Sequence, residues 1–408
     1  MFTFIESNEN LRTKSVGVWM LVVLYLVSFY SKSGVNFFSA LAYILAIFVV
    51  ITHNPPIFRR EPLLLLLLIP LGFGLFESLF SRTGGWVGLV NYLNEFKFFF
   101  LPFVFSILSC DRRRLEWIFL AAFFSSILVI VYGFSHEEQR AFGMFHGYFV
   151  YPDVRTSQMM MVAVITSIVF LDDQEFRKRY PNATLMIALF VPIFFFSLIM
   201  GSIRSTWLGF GLSILAYAVF FRPRWLIPII TISVIMLFMG QETNISNELS
   251  SILDFRGNSS NNTRLQLWVT GWDFSEKNLL LGAGVNDIQN QFLDFYNAQS
   301  ASYKEANHLV ASSIGNFHNS YLQILIEWGV LTFGAFVLSC VILILKLVHA
   351  LKTTQSGHLV FIRAFLVVSV GYLFSQFFHN ELISYSATLY FLLMYSAIYA
   401  ASISKYDE

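Results

Sequence analysis

The residues of this chain whose type and setting could do chemistry are cations and imidazoles placed beside long apolar stretches. Arg204 lies in Gly201-Ser202-Ile203-Arg204-Ser205-Thr206-Trp207-Leu208, a tight connection between two such stretches. Its guanidinium must therefore sit at membrane level, where an unpaired charge is expensive. On the residues alone, two explanations stay open. It is a snorkelling arginine paired with a carboxylate such as Glu95, or a planar fork holding phosphate oxygens at the lipid–water boundary. Arg264 follows Asn261-Asn262-Thr263 and opens an amphipathic helix expected over 264–274, with Leu265, Trp268, Val269 and Trp272 at helical spacing and Thr263 as its N-cap. A cation there is either solvated surface or an anion ligand. Arg155, in Tyr151-Pro152-Asp153-Val154-Arg155, either pairs with Asp153 or adds a third phosphate contact; Arg140 and Arg256 are weaker candidates. His318 lies in Asn316-Phe317-His318-Asn319-Ser320-Tyr321-Leu322, just before another apolar stretch. A neutral imidazole at that point can take a proton from a hydroxyl nucleophile near neutral pH, or it can cap the helix start. Glu327 lies too deep in the same helix to orient His318 directly and is expected to pair with another intramembrane group.

These residues need a bundle of helices to hold them. Of 408 residues, 56% are apolar and only 12% are charged, with a mean hydropathy of +0.64. Soluble domains carry roughly 25% charged residues, so a cytoplasmic globular enzyme is excluded. A net charge of +1 gives no field that would attract nucleic acid. Apolar stretches separated by polar punctuation predict twelve spans: 16–31, 35–52, 62–80, 86–109, 115–134, 157–171, 183–200, 204–221, 225–240, 320–347, 359–379 and 383–403. The start, with Glu6 and Glu9 and no small-residue cleavage site, does not read as a signal peptide. With the N-terminus inside, most Lys and Arg fall in inner segments, and the alternation places both termini in the cytoplasm. The expected fold is an all-α integral membrane protein of about twelve transmembrane helices. Residues 1–240 form helices 1–9, 241–319 a mainly helical outer loop domain, and 320–408 helices 10–12 with a cytoplasmic tail. Within the loop, Gly282-Ala283-Gly284 ends the first amphipathic helix, and 287–298 forms a second.

Several absences narrow the chemistry. The outer side has no His-Glu-x-x-His, no Cys/His cluster and no Walker loop, and Gly282-x-Gly284 lacks the third glycine of a dinucleotide fingerprint. Cys110 and Cys340 are expected to form neither a disulfide nor a thiolate metal site. Asp172-Asp173 adjoins the basic run Arg177-Lys178-Arg179 on the inner side. Glu95 and Lys97 are expected as buried ionisable groups within span four, with Asn91 and Glu95 forming a polar stripe toward the bundle.

In this order, the residues resemble the O-antigen ligase family of bacterial inner membranes, which shares a superfamily with the O-antigen polymerases. The family's Arg-x-x-x-Leu element is matched by Arg204 to Leu208, and its loop arginine followed by tryptophan by Arg264 and Trp268. Its Pro-Leu-x-Gly-x-Gly turn is matched in part by Asn278 to Gly284, with Leu279 in place of the usual proline. His318-Asn319-Ser320-Tyr321-Leu322, with Gly329 at the family's spacing, is the strongest match, and the helix is expected to run on through Gly329. The resemblance implies a membrane glycosyltransferase with its active site on the periplasmic face of the inner membrane. The donor would be a glycan on undecaprenyl diphosphate and the acceptor a sugar of lipid A-core, with membrane lipid around and no nucleic acid partner. His318 would act as general base in an inverting transfer. Arg204 and Arg264, supported by Arg155, would hold the diphosphate, with Trp268, Asn319, Tyr321 and Gly329 in support. No metal or other cofactor would be needed. A polymerase using the same donor is the nearest rival. A passive carrier for the lipid-linked glycan is a different class, predicting essential charges such as Glu95 or Lys97 in broken helices.

Overall fold

The computed structural model describes residues 8–27, 32–53, 55, 57–80, 85–108, 112–135, 153–200, 203–227, 259–284, 288–307, 316–354, 356–382 and 384–403. Among them every regular element is helical. In chain order the α-helices of eight residues or more are α1 (Asn8–Val27), α2 (Lys32–His53), α3 (Leu65–Phe80), α4 (Gly85–Phe96), α5 (Leu101–Leu108), α6 (Arg112–Ser135), α7 (Asp153–Asp172), α8 (Pro181–Met200) and α9 (Arg204–Phe220). Next come α10 (Ser259–Ser275) and α11 (Ile288–Asn297) of the loop region, and then α12 (Ser320–Ala350), α13 (Ser356–Ser375) and α14 (Thr388–Ile403).

Among the described residues, five stretches are long and apolar enough to cross a membrane: Ser33–His53, Pro62–Phe80, Pro181–Leu198, Ser320–Ala350 and Gly357–Ser375. Their outer faces leave large apolar side chains uncovered, for example Ile44, Ile47 and Ile51 on α2, Leu185 and Leu189 on α8, and Leu338 and Leu345 on α12. That surface suits hydrocarbon, not water. The centre of the bundle is formed by α7, buried continuously over Met159–Ile165, and by α14, buried over Leu389–Ile398. Hydroxyls inside the bundle fold back on their own helices. Ser167 donates to the Ala163 carbonyl at 2.7 Å and Ser396 to that of Leu392 at 2.8 Å, so little polarity meets lipid. The molecule is an all-α membrane protein.

Helices lie on each expected span except the ninth, 225–240, which falls almost wholly outside the described residues, as do Arg140 and Arg256. Two spans differ from the uniform helices that hydropathy predicts. Span four is divided: α4 stops at Phe96, a 3-10 turn covers Lys97–Phe100, and α5 resumes at Leu101. Pro102 has no N–H for the Phe98 carbonyl, which accounts for the change of winding. Lys97 donates to the Asn94 side chain at 2.9 Å and Glu95 lies on an exposed face, so neither is the deeply buried charge that the sequence suggested. The second departure, in α12, belongs to the site.

At the end of the bundle away from Arg204, Asp172 accepts hydrogen bonds from the Tyr217 hydroxyl at 2.7 Å and from Arg222 and Arg224. Asp173 caps the short helix Gln174–Arg179 and pairs with Arg363 at 3.4 Å. The carboxylates therefore tie the ends of α7, α9 and α13 together. They do not pair with the adjacent Arg177–Arg179 run, whose side chains are exposed.

Candidate functional site

Arg204 is the first residue of α9, and α9 is placed by its crossing with α13. Gly209 and Gly371 meet there so closely that a Cβ on Gly371 would lie 1.9 Å from the Gly209 carbonyl oxygen. Ser213 locks the crossing, donating to the Val367 carbonyl at 2.9 Å and accepting from the Gly371 N–H at 3.0 Å. This contact carries the start of α9 to the far end of α13, where Ser205 hydrogen-bonds the Nε2 of His379.

Arg264 is held by α10. The helix begins at Ser259, so Thr263 is an interior residue and not the N-cap that the sequence predicted. The polar Asn and Ser residues before it extend the helix by a turn. One face of α10 packs into a small second core with Phe274, Phe292, Phe295, Phe317, Leu322 and Ile326. At Gly271 a Cβ would meet the Phe317 ring at 2.7 Å, so α10 lies directly on the segment leading to His318.

That segment is fixed at every peptide around His318. Trp268 Nε1 donates to the Phe317 carbonyl at 2.9 Å, and the Phe317 N–H donates to the Gln323 side chain at 3.3 Å. The His318 N–H donates to Asn316 Oδ1 at 3.0 Å. Asn319, not His318, is the N-cap of α12, accepting from the Tyr321 and Leu322 N–H groups at 3.0 and 3.1 Å. Ser320 donates through its N–H to the Gln376 and His379 carbonyls, both at 2.9 Å. Tyr321 donates to the Leu373 carbonyl at 2.7 Å. Among the described residues His318 is the one non-glycine with positive φ, at 48°. Such a conformation costs about 1–3 kcal/mol and persists only where surrounding contacts impose it.

Below the cap, α12 is not continuous. Gly329 adopts φ 75°, ψ 176°, splitting the helix into a short half that begins beside His318 and a long half that continues to Ala350. A break of this kind exposes carbonyls on one side and N–H groups on the other, which lipid cannot satisfy. The turn after α10 supplies the partners. Ala283 and Gly284 donate to the Ile326 and Glu327 carbonyls at 2.8 and 3.1 Å, and Leu279 accepts from the Val330 N–H at 2.8 Å. Glu77 of α3 completes the set by accepting from the N–H and hydroxyl of Thr332. Gly282, at φ 70°, allows the approach, because a Cβ there would lie 2.3 Å from the Glu327 oxygen. Glu327 itself accepts from the Gln323 side chain.

Arg204, Arg264 and His318 thus come together electrostatically. Burial and the neighbouring Arg204 cation both lower the Arg264 pKa, while burial and Arg264 lower that of His318 below the usual imidazole range. His379, hydrogen-bonded to Ser205 next to Arg204, lies near Arg264 and His318 and is 4% exposed. Burial, reinforced by Arg264 and His318, pushes its pKa down to about 3, so it is neutral at physiological pH. The assembly offers concentrated positive charge to an anion beside two neutral imidazoles. Arg155 lies on α7, but its side chain is outside the described residues. The sequence offered one clue to His379: it ends the expected span 359–379, on the side from which the span 320–347 starts beside His318. No spacing rule linked it to Ser205 or Ser320, which contact it across the fold. Among the described residues no group of three His, Cys, Asp or Glu side chains is arranged to hold a metal ion.

Fold and site together define a polytopic, all-helical membrane protein with an arginine–imidazole centre at one end. Residues 188–337 match the family model described as O-antigen ligase (Wzy_C), over about a third of the chain. The match spans Arg204, Arg264, His318 and Gly329, and leaves Arg155 and His379 outside. No curated relative matches the chain.

Proposed function

We propose that this protein is an O-antigen ligase, transferring a glycan from undecaprenyl diphosphate to a sugar hydroxyl of lipid A-core at the periplasmic face of the inner membrane. The convergence of Arg204, Arg264 and His318 at one end of the bundle carries this reading. His318 takes the proton of the acceptor hydroxyl as that oxygen attacks the anomeric carbon. The bond from that carbon to the diphosphate oxygen breaks, and the diphosphate leaves with the electron pair from the opposite face, inverting the anomeric centre. Charge growing on the leaving group meets two guanidinium groups already held in place, which is where electrostatic stabilisation is most effective. Arg155 would reach the same anion from α7. Residues 1–240 and 320–408 would then be the spanning parts, with 241–319 as the periplasmic domain.

The test is transfer of a lipid-linked glycan onto lipid A-core in reconstituted membranes. His318→Ala and Arg264→Ala should abolish product while the protein remains folded. Extension of the carrier-linked glycan without lipid A-core product would instead identify a polymerase. Because the transfer assigned here draws on guanidinium groups, excess chelator should leave its rate unchanged, and a loss of rate would point to a bound metal.

One observation favours a second reading, a carrier for the lipid-linked glycan: two helices are broken, at Lys97–Phe100 and at Gly329. The Gly329 break is occupied by backbone from Leu279–Gly284 and by Glu77, so those groups do not await a cargo. The carrier reading requires Glu95→Ala or Lys97→Ala to abolish surface glycan while His318→Ala leaves it intact.

A further inference from the structure

Away from the arginine–imidazole centre, two cavities of about 220 and 200 Å³ open between α6 and α8. They share Leu120, Phe123 and Ile187 and so form one groove. Its walls are almost wholly apolar and largely aromatic, with Phe170 of α7 and Phe361 of α13 as the floor. One end lies at Glu116 and Tyr180, at the ion-pair end of the bundle, and the other at Ile127 and Phe194. Glu116 to Ile127 along α6 is about 16 Å at 1.5 Å per residue. One leaflet of a hydrocarbon core of about 30 Å is about 15 Å deep. The groove therefore has the length of a single monolayer and ends near the bilayer middle.

Its mouth is marked by charge. Tyr180, which donates to Glu116, is covered by the Arg179 guanidinium at 5.6 Å from the ring centre. Arg177, Lys178 and Arg179 are all exposed, on a short helix pinned by Phe176, which packs on Phe170 at 4.8 Å. We infer that this groove is a binding site for an anionic glycerophospholipid of the adjacent leaflet. One acyl chain lies between α6 and α8, and the phosphate faces Arg177, Lys178 and Arg179. The basic run is then not idle. Its ordinary topological bias toward one side of the membrane is put to use as a headgroup clamp. The site is separate from the centre at Arg204 and does not depend on the glycosyl-transfer reading.

Trp117 lines the groove and is 52% exposed, which makes it a reporter. The full chain, reconstituted in nanodiscs, is titrated with phosphatidylglycerol or phosphatidylcholine brominated on the acyl chain. The Trp117→Phe variant supplies the background from the other tryptophans. Quenching of Trp117 should favour the anionic lipid by roughly fivefold or more, the effect of about one basic residue near a headgroup. Replacing Arg177, Lys178 and Arg179 together by Gln should equalise the two lipids, and Ala183→Phe, which fills the groove, should remove the quenching. If Trp117→Phe does not fold, native mass spectrometry of wild type and Ala183→Phe reads the same retention of phosphatidylglycerol. Equal quenching by both lipids, indifference to Ala183→Phe, preferential retention of a polyprenyl phosphate, or cross-linking of a second copy through the groove would each overturn the assignment.

Discussion

At the scale of single residues, the site depends on what each cation and imidazole can do that a near-isostere cannot. Arg204→Lys keeps the charge but loses the planar fork. It is expected to slow transfer by at least about tenfold, the loss of roughly 1.4 kcal/mol of transition-state contact. An unchanged transfer rate would remove Arg204 from the phosphate role. His318 needs to be neutral to accept a proton, and burial with Arg264 lowers its pKa. The acidic limb of the wild-type rate profile should therefore lie below pH 6.5, and Arg264→Gln should raise the His318 pKa, as NMR titration of the imidazole in both proteins will show. His379 makes a different prediction. Its folded pKa, about 3, lies below the ordinary 6.5, so its neutral form supports stability fully above pH 6.5. That support declines as pH falls from 6.5 toward 3, because the unfolded chain takes up the proton first. Thermal unfolding across this window should show a shallower acid loss for His379→Gln than for wild type.

At the scale of elements, hydropathy located the helices but could not reveal where one would break. An apolar window scores the stretch through Ile326 to Leu331 as continuous helix because Glu327 and Gly329 are isolated interruptions in a long apolar run. What ends the helix is a turn that arrives from Leu279–Gly284, far away in sequence. Likewise, Thr263 met the local rule for an N-cap, yet α10 gains another turn before it. Trp268, Asn319, Tyr321 and Gly329 entered as motif positions. In the fold each acts mechanically: Trp268 is a strut to Phe317, Asn319 a cap, Tyr321 a strut to Leu373 and Gly329 a break. The break is testable by comparing two glycines of α12. Gly329→Ala forces a side chain onto positive φ and toward the Leu280 carbonyl, 2.2 Å from the new Cβ, and should cost at least about 1–3 kcal/mol. Gly334→Ala, where a Cβ meets nothing within 4 Å, should cost no stability. Equal unfolding temperatures for the two variants would contradict the docked turn.

At the scale of the whole molecule, composition alone was enough for the class, since so few charges over so long a chain leave no soluble fold open to it. The grouping of Arg204, Arg264 and His318 was legible as an ordered pattern of motifs. The contacts that create it were not, because Gly209 against Gly371 and Ser205 against His379 join segments that share no local signal. The opposite end of the bundle has its own fastening in Asp172. Asp172→Asn should lower stability by about 2 kcal/mol, less than a fully buried pair would lose, because the Arg224 side chain is 69% exposed. Thermal unfolding at low and high salt checks this, since a salt-insensitive loss would assign the effect to the Tyr217 hydrogen bond instead.

The divided helix α12 also bears on how the chain is made. Its break borrows hydrogen bonds from residues synthesised some 45 positions earlier, so biogenesis acquires an order. During translation the Leu279–Gly284 turn must already have reached its side of the bilayer when Gly329 leaves the insertion machinery. Otherwise the nascent segment enters lipid as one unbroken rod, and His318 starts from the wrong place.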